Sequence, residues 1–348
     1  MTSATANPAT RNNLKTKSRA KKPALRINTQ MIPTIAAVVI FICMIIMGQA
    51  LFGTYTSLGF ISSLFIDHAY LIILAVAMTL PVLTGGIDLS IGAIVAICGV
   101  VGMTLLNQGV NSWLVIVVML LIGLAFGAIA GTLIEEFNMQ PFIATLSTMF
   151  LARGIAAMIS TDSLIAPENN NYGWIATTIK IIDNPKIKND LSINAGVIIA
   201  AIVVAGGYIL LHKTRTGRTI YAIGGSRSSA ELMGLPVKRT QRIIYLTSGT
   251  LAALAAIVYT ANIGSAKNTV GVGWELDAVA SVVIGGTIVT GGFGYVLGSV
   301  IGALVRSTID PLTSDFGVPS EWTTIVVGLM ILIFVVLQRA VTAVGKKE

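Results

Sequence analysis

Two carboxylate-bearing breaks in otherwise apolar sequence are where this chain could do chemistry. The first reads Thr84-Gly85-Gly86-Ile87-Asp88-Leu89-Ser90 and begins three residues after Pro81. Pro81 removes a helix hydrogen bond and the paired glycines permit a sharp turn, so one helix can end here and another begin. Asp88 can then accept the free N–H groups of Ser90 or Ile91. Two compatible roles are open to it, a helix cap and a gate on a substrate path, because ionisable groups beside apolar spans face protein or a water-filled cavity. The second break opens with Trp274-Glu275-Leu276-Asp277, a faint echo of Gly86 to Ser90 lying five apolar spans later. An odd offset sets the two copies in opposite orientation, as in inverted repeats with a pathway at their interface.

The stretch from Gly285 to Gly294 holds five glycines in ten residues, Gly285 and Gly286 first among them, with Gly298 and Gly302 beyond. Such density permits close helix contact or an unwound segment lined by backbone groups. It is no phosphate loop: no Lys-Ser or Lys-Thr follows at the required spacing anywhere in the chain, so ATP is not expected to bind here. The candidate path or gate residues are thus Thr84, Gly85, Gly86, Asp88, Ser90, Glu275, Asp277, Gly285 and Gly286.

A third break is basic. Between Lys213 and Arg242 the sequence Gly224-Gly225-Ser226-Arg227-Ser228-Ser229-Ala230-Glu231-Leu232-Met233-Gly234-Leu235-Pro236 carries Ser228 and Glu231 at capping-box spacing, then Gly234 and Pro236 as stop signals. The helix so punctuated is short and marginal alone. Leu232 and Met233 gain stability only by packing on another surface, which favours a docking element over a basic linker with an incidental cap.

The elements that position these breaks are apolar helices. The chain is 54% hydrophobic and 11% charged, with mean hydropathy +0.84, where a soluble domain has roughly 25% charged residues. Ten spans are expected, near residues 31–51, 64–84, 88–107, 113–134, 140–160, 194–212, 241–262, 276–290, 294–310 and 322–338. The stretch from Met31 to Leu51 would extend about 31 Å, against a hydrocarbon core of about 30 Å. The segment from Ser57 to Asp67 is a candidate interfacial or re-entrant piece. An alternating barrel pattern is lacking, so the expected fold class is an all-α integral membrane protein of about ten transmembrane helices with broken helices and a pseudo-symmetric inverted repeat.

Charge orients the spans. Arg11, Lys15, Lys17, Arg19, Lys21, Lys22 and Arg26 precede the first, and Lys213, Arg215, Arg218, Arg227, Lys238, Arg239 and Arg242 follow the sixth, more than half of the 23 basic residues. Both segments should be cytoplasmic. The loop from Thr161 to Ile193 is balanced, with Asp162, Glu168, Asp183 and Asp190 against Lys180, Lys186 and Lys188, and should face outward. Parity then returns the Lys346 and Lys347 tail to the cytoplasm. Residues 1–30 read as a disordered basic tail, 31–339 as the membrane domain with a cytoplasmic loop at 213–240, and 340–348 as a second tail.

The net charge of +8 is explained by this topology and by anionic lipid headgroups, so nucleic acid is not an expected partner. Cys43 and Cys98 sit in apolar spans, and His68 and His212 have no ligand-spaced neighbours, so neither a disulfide nor a metal site is expected. A signal peptide does not fit a first apolar stretch this long.

Taken in order, the Thr84 to Ser90 segment, the Gly217 to Met233 segment with Tyr221-Ala222-Ile223-Gly224-Gly225, the run from Trp274 to Gly286 and the glycine-rich turn after it resemble the permease subunit of bacterial ABC monosaccharide importers of the ribose, xylose and galactose type. The similarity runs from the first span onward. A finer likeness is to the second permease of galactofuranose and fructose importers, which pair non-identical subunits. Pro81 and the Asn169-Asn170-Asn171 outer loop depart from that pattern. The resemblance implies a non-enzymatic, multi-pass subunit of the bacterial inner membrane, with both termini cytoplasmic. It would work with a second, non-identical permease, an ATPase subunit holding ATP and Mg, and an extracytoplasmic sugar-binding protein. It also implies that Gly224, Gly225, Ser228, Ala230, Glu231, Leu232 and Met233 form the ATPase-coupling element. Two rivals make different demands. An ion-coupled secondary transporter would use Asp88 as its proton or sodium site, and an intramembrane hydrolase would need facing aspartates or a Ser-His pair.

Overall fold

The computed structural model describes residues 31–167, 171–182, 190–319 and 321–345. Expectations that fall on the 1–30 tail, on Glu168, Asn169, Asn170, Asp183, Lys186 and Lys188, and on Lys346 and Lys347 lie outside them. The chain is an all-α membrane protein. Its helices are α1 (Ile32–Phe52), α2 (Leu58–Leu83), α3 (Ile91–Asn107), α4 (Ser112–Glu135), α5 (Pro141–Ile159), α6 (Ala195–Lys213), α7 (Arg215–Gly225), α8 (Arg227–Leu232), α9 (Val237–Ile263), α10 (Trp274–Ile284), α11 (Val296–Asp315) and α12 (Glu321–Gly345). Six of these, α1, α2, α4, α5, α6 and α9, are long and apolar enough to cross a bilayer. The strands are brief: β1 (Leu164–Ile165) pairs antiparallel with β4 (Ser265–Ala266), and β2 (Thr178–Ile182) with β3 (Leu191–Asn194).

Three elements differ from the sequence reading for local reasons. The Ser57 to Asp67 segment is no separate piece: Ser57 Oγ accepts the Phe60 N–H at 3.1 Å, which starts α2 at Leu58 and runs it unbroken to Leu83. The stretch near 276–290 is helical only as far as Ile284. Eleven residues rise about 16 Å, half a hydrocarbon core, and a turn at Gly285 and Gly286 ends the helix. The capped helix of the basic loop is shifted by two residues at its cap: the cap is Ser226, whose Oγ accepts the Ser229 N–H at 3.3 Å, and not Ser228 with the Glu231 N–H. Glu231 turns to Arg227 Nε at 3.1 Å instead of closing a capping box.

The core lies around α2, α3 and α9, whose inner faces are apolar and buried. Backbones meet directly at two crossings. At α4 and α9, a Cβ on Gly123 or Gly127 would overlap the carbonyl oxygens of Gly249 and Tyr245. At α10 and α11, one on Gly302 would overlap that of Ser281, and Gly285 and Gly298 exclude a Cβ from each other. In lipid, where apolar burial adds little between helices, such close approach supplies the dispersion contact that holds them.

Candidate functional site

At the first break, α2 ends as Pro81 and the glycines require. Thr84 Oγ1 donates to Pro81 O at 2.8 Å, Gly86 N–H donates to the same oxygen at 3.0 Å, and Gly85 takes φ +78°. Asp88 follows, 1% exposed. Its Oδ1 accepts the Ser90 N–H at 3.0 Å and the Ser90 hydroxyl at 2.6 Å, and its Oδ2 accepts the Ser248 hydroxyl from α9 at 2.7 Å. Both oxygens accept from fixed donors, which ties the start of α3 to the middle of α9. Hydrogen bonds to a charged group contribute about 1.5–3 kcal/mol each. Thr145 of α5 donates to Ile87 O at 3.1 Å, so three helices hold this turn.

Glu275 and Asp277 sit at the N-terminal turn of the half-helix α10. Glu275 Oε1 accepts the Gly273 N–H at 3.3 Å, while its buried Oε2 has no hydrogen-bond partner among the described residues. Arg153 of α5 lies in the field of Glu275 and donates to the carbonyls of Asn268 and Val270 at 2.9 and 2.6 Å. It pins the segment leading into α10. Asp277 instead binds Arg306 of α11 through two bonds of 2.7 and 3.2 Å, and Arg306 also bonds Asp310 at 2.9 Å.

The first break, the glycine-rich stretch and the basic loop converge. Gly292 N–H donates to Leu83 O at 2.9 Å, and a Cβ on Gly291 would crowd Gly85 N and Leu83 O. Gly224, at the end of α7, packs so tightly there that a Cβ would overlap Leu83 O and Gly292 N. Tyr221 of α7 donates to Gly294 O at 2.7 Å. The end of α2, the turn after α10 and the helix leading out of the basic loop therefore share one knot of backbone. Gly286 sits apart, against Pro33 and Thr34 of α1, and Thr34 Oγ1 donates to Gly285 O at 2.9 Å.

Helix α8 projects from that knot. Ala230 is fully buried in a small core with Ile223 and Val237, so it seats the helix and offers no surface to a partner. Leu232 and Met233 are 90% and 66% exposed, and Gly234 ends the element at φ +73°. Gly225 has open space about it. Arg227 reaches Glu135 at the end of α4 through bonds of 3.2 and 3.0 Å, with the Glu135 side chain fully buried. Burial works against the Arg227 charge, but Glu135 and Glu231 outweigh it and raise its pKa. The neighbouring Glu136 pairs with Arg242 of α9.

Sequence reasoning missed Glu135, Arg153, Ser248, Arg306 and Asp310 as partners. Arg306 and Asp310 had a signal, since charges four apart in an apolar stretch of membrane helix demand company. His68 Nε2 lies 3.8 Å from Asp310 Oδ2, a partner its sequence neighbours do not reveal.

Apolar helices that interlock through backbone, broken at carboxylates and joined at one end to a short helix with exposed Leu232 and Met233, are the architecture of a multi-pass membrane protein. The chain belongs to the family of transport permease components: a family model described as "Branched-chain amino acid transport system / permease component" matches residues 60–335. It is 77% identical to the fructose import permease protein FruG of Bifidobacterium longum (strain NCC 2705), over 99% of each chain. It is 38% identical to the inner membrane ABC transporter permease protein YjfF of Escherichia coli (strain K12), over 85% of this chain and 88% of the relative. The ribose import permease protein RbsC of the same strain is 37% identical, over 77% and 81%. No solved structure matches the chain.

Proposed function

We propose that this chain is the membrane-spanning permease subunit of an ATP-driven ABC importer that moves a monosaccharide into the cell by alternating access. The family description names branched-chain amino acids, but the relatives are named for fructose and ribose import. Identity of 77% along nearly the whole of both chains favours fructose. Ten crossings with both termini cytoplasmic place α7 and α8 inside the cell. ATP and Mg sit on a separate ATPase, a non-identical second permease completes the path, and an extracytoplasmic binding protein delivers the sugar.

The observation that carries this reading is the continuous path from exposed Leu232 and Met233, through α7, to Gly224 lodged against Leu83 and Gly292. A push on α8 reaches the end of α2 and the turn after α10 through α7 alone. The nucleotide shifts the permease only by its differential affinity for the two states. Asp88, with both oxygens occupied by hydroxyl and amide donors, serves this scheme as a clamp.

The test uses proteoliposomes holding the whole assembly, without ion gradients. Fructose should accumulate only when ATP is supplied on the cytoplasmic side. Leu232→Asp should abolish uptake and release the ATPase while the permease stays inserted, because a charge would enter an apolar contact. Gradient-driven accumulation by this chain alone, or normal transport by Leu232→Asp, would refute the reading.

A further inference from the structure

Four ionisable side chains from three helices meet in the half of the bundle opposite the glycine knot. Asp277 and Asp310 both bond Arg306, and His68 faces Asp310. Asp310 lies five residues before the end of α11, about 8 Å along its axis, and His68 ten residues after the start of α2, about 15 Å. At that depth the side chains remain 44% exposed for Asp310, 23% for Asp277, 17% for His68 and 12% for Arg306. Ionisable groups within membrane helices face a water-filled cavity or another protein surface, not acyl chains.

Beside the charges stands an aromatic cluster from α2, α9 and α10. Tyr70 stacks on Trp274 with ring centroids 4.2 Å apart, and Tyr259 meets Trp274 edge-on at 4.8 Å. Tyr70 is two residues from His68 and lies in the field of Arg306, Asp277 and Asp310. All three rings are only partly buried. Carboxylates accept hydrogen bonds from hydroxyls, a guanidinium donates to ring and hydroxyl oxygens, and aromatic rings take the C–H faces of a sugar. Few polar groups set in an apolar wall are the usual composition of a small-molecule site.

We propose that Asp277, Arg306, Asp310 and His68, with the exposed edge of the Tyr70, Tyr259 and Trp274 cluster, line the outer half of the sugar's path and hydrogen-bond its hydroxyls in transit. The inference rests on the monosaccharide permease reading and assigns the sugar-selective surface to α2, α9, α10 and α11.

Water access and selectivity test it separately from ATP dependence. In the assembled transporter carrying Cys43→Ser, Asp310→Cys should react with an impermeant methanethiosulfonate from the outer side. Its rate should differ at least tenfold between nucleotide-free and ATP-trapped states. Ile309→Cys, on the same helix but only 2% exposed, should stay unreactive. Equal rates for Asp310→Cys in the two states, or reaction no faster than at Ile309→Cys, overturns the proposal whether or not uptake requires ATP. The near-isosteric Asp310→Asn gives the second readout, initial uptake of fructose against ribose and allose. A change of about tenfold in the ratio between sugars supports the site, whereas an equal fall for every sugar marks a structural role and refutes it.

Discussion

The breaks at Asp88 and at Asp277 share a pattern, an acid within a few residues of a glycine near the start of a helix, yet they are satisfied by opposite means. Asp88 is closed off, with three hydrogen bonds from two serines and no cation. Asp277 is partly open and bound by Arg306, whose charge it shares with Asp310. A buried carboxylate that already accepts three bonds from fixed donors has little left to offer a ligand. One held by a shared guanidinium keeps acceptor capacity and can exchange partners. Similar sequence thus yields a clamp at one break and a polar lining at the other.

The largest effect that could break this comparison is at the clamp. Asp88→Leu removes the acceptor for the Ser90 amide, the Ser90 hydroxyl and the Ser248 hydroxyl in a site without water access, at a cost of about 3–5 kcal/mol. Little folded protein should be recovered, and thermal unfolding in detergent should shift sharply downward. Asp88→Asn keeps an acceptor for Ser90, and its amide can donate to Ser248, so it should lose only about 1 kcal/mol and retain most uptake. If the Asn variant is folded but inactive, Asp88 is a working charge and the ion-coupled rival regains its footing.

The next effect lies where the coupling element meets the first break. Gly224→Ala puts a methyl group into the space held by Leu83 O and Gly292 N. Overpacking of this kind costs about 1–3 kcal/mol, and here the strain falls on the joint itself. Uptake should drop at least tenfold while the ATPase still co-purifies and hydrolyses ATP. Equal loss of uptake and ATPase binding would show Gly224 to act on folding instead.

Sequence made the local half of this arrangement legible. The apolar stretches mark where the long helices lie, because lipid leaves backbone no other way to satisfy itself. Pro81 with Gly85 marks the end of α2, and the Asp88 to Ser90 contact follows from two-residue spacing. What escaped is long-range. Ser248 is 160 positions from Asp88, Glu135 is 92 from Arg227, and the meeting of Leu83, Gly224 and Gly292 depends on how helices pack. Caps and turns act within a few residues, so they are written in the chain. Spacing alone cannot tell that Ala230 faces inward and Leu232 outward on a helix as short as α8, since tertiary neighbours decide which face is covered.

The smallest expected effect tests the open break. Asp277→Asn removes one of two carboxylates from Arg306, but Asp310 still compensates the guanidinium at 2.9 Å and the Asn carbonyl can accept one of its donors. The loss is a charge-assisted bond exchanged for a neutral one, about 1 kcal/mol. Thermal unfolding in detergent should fall by a few degrees at most, well short of the shift from Asp88→Leu. Transport should respond more than stability does, because the same carboxylate is an acceptor on a partly exposed polar surface. A stability loss as large as that of Asp88→Leu would make Asp277 a second clamp, and the contrast between the breaks would disappear. Unchanged stability with altered sugar preference would sharpen it.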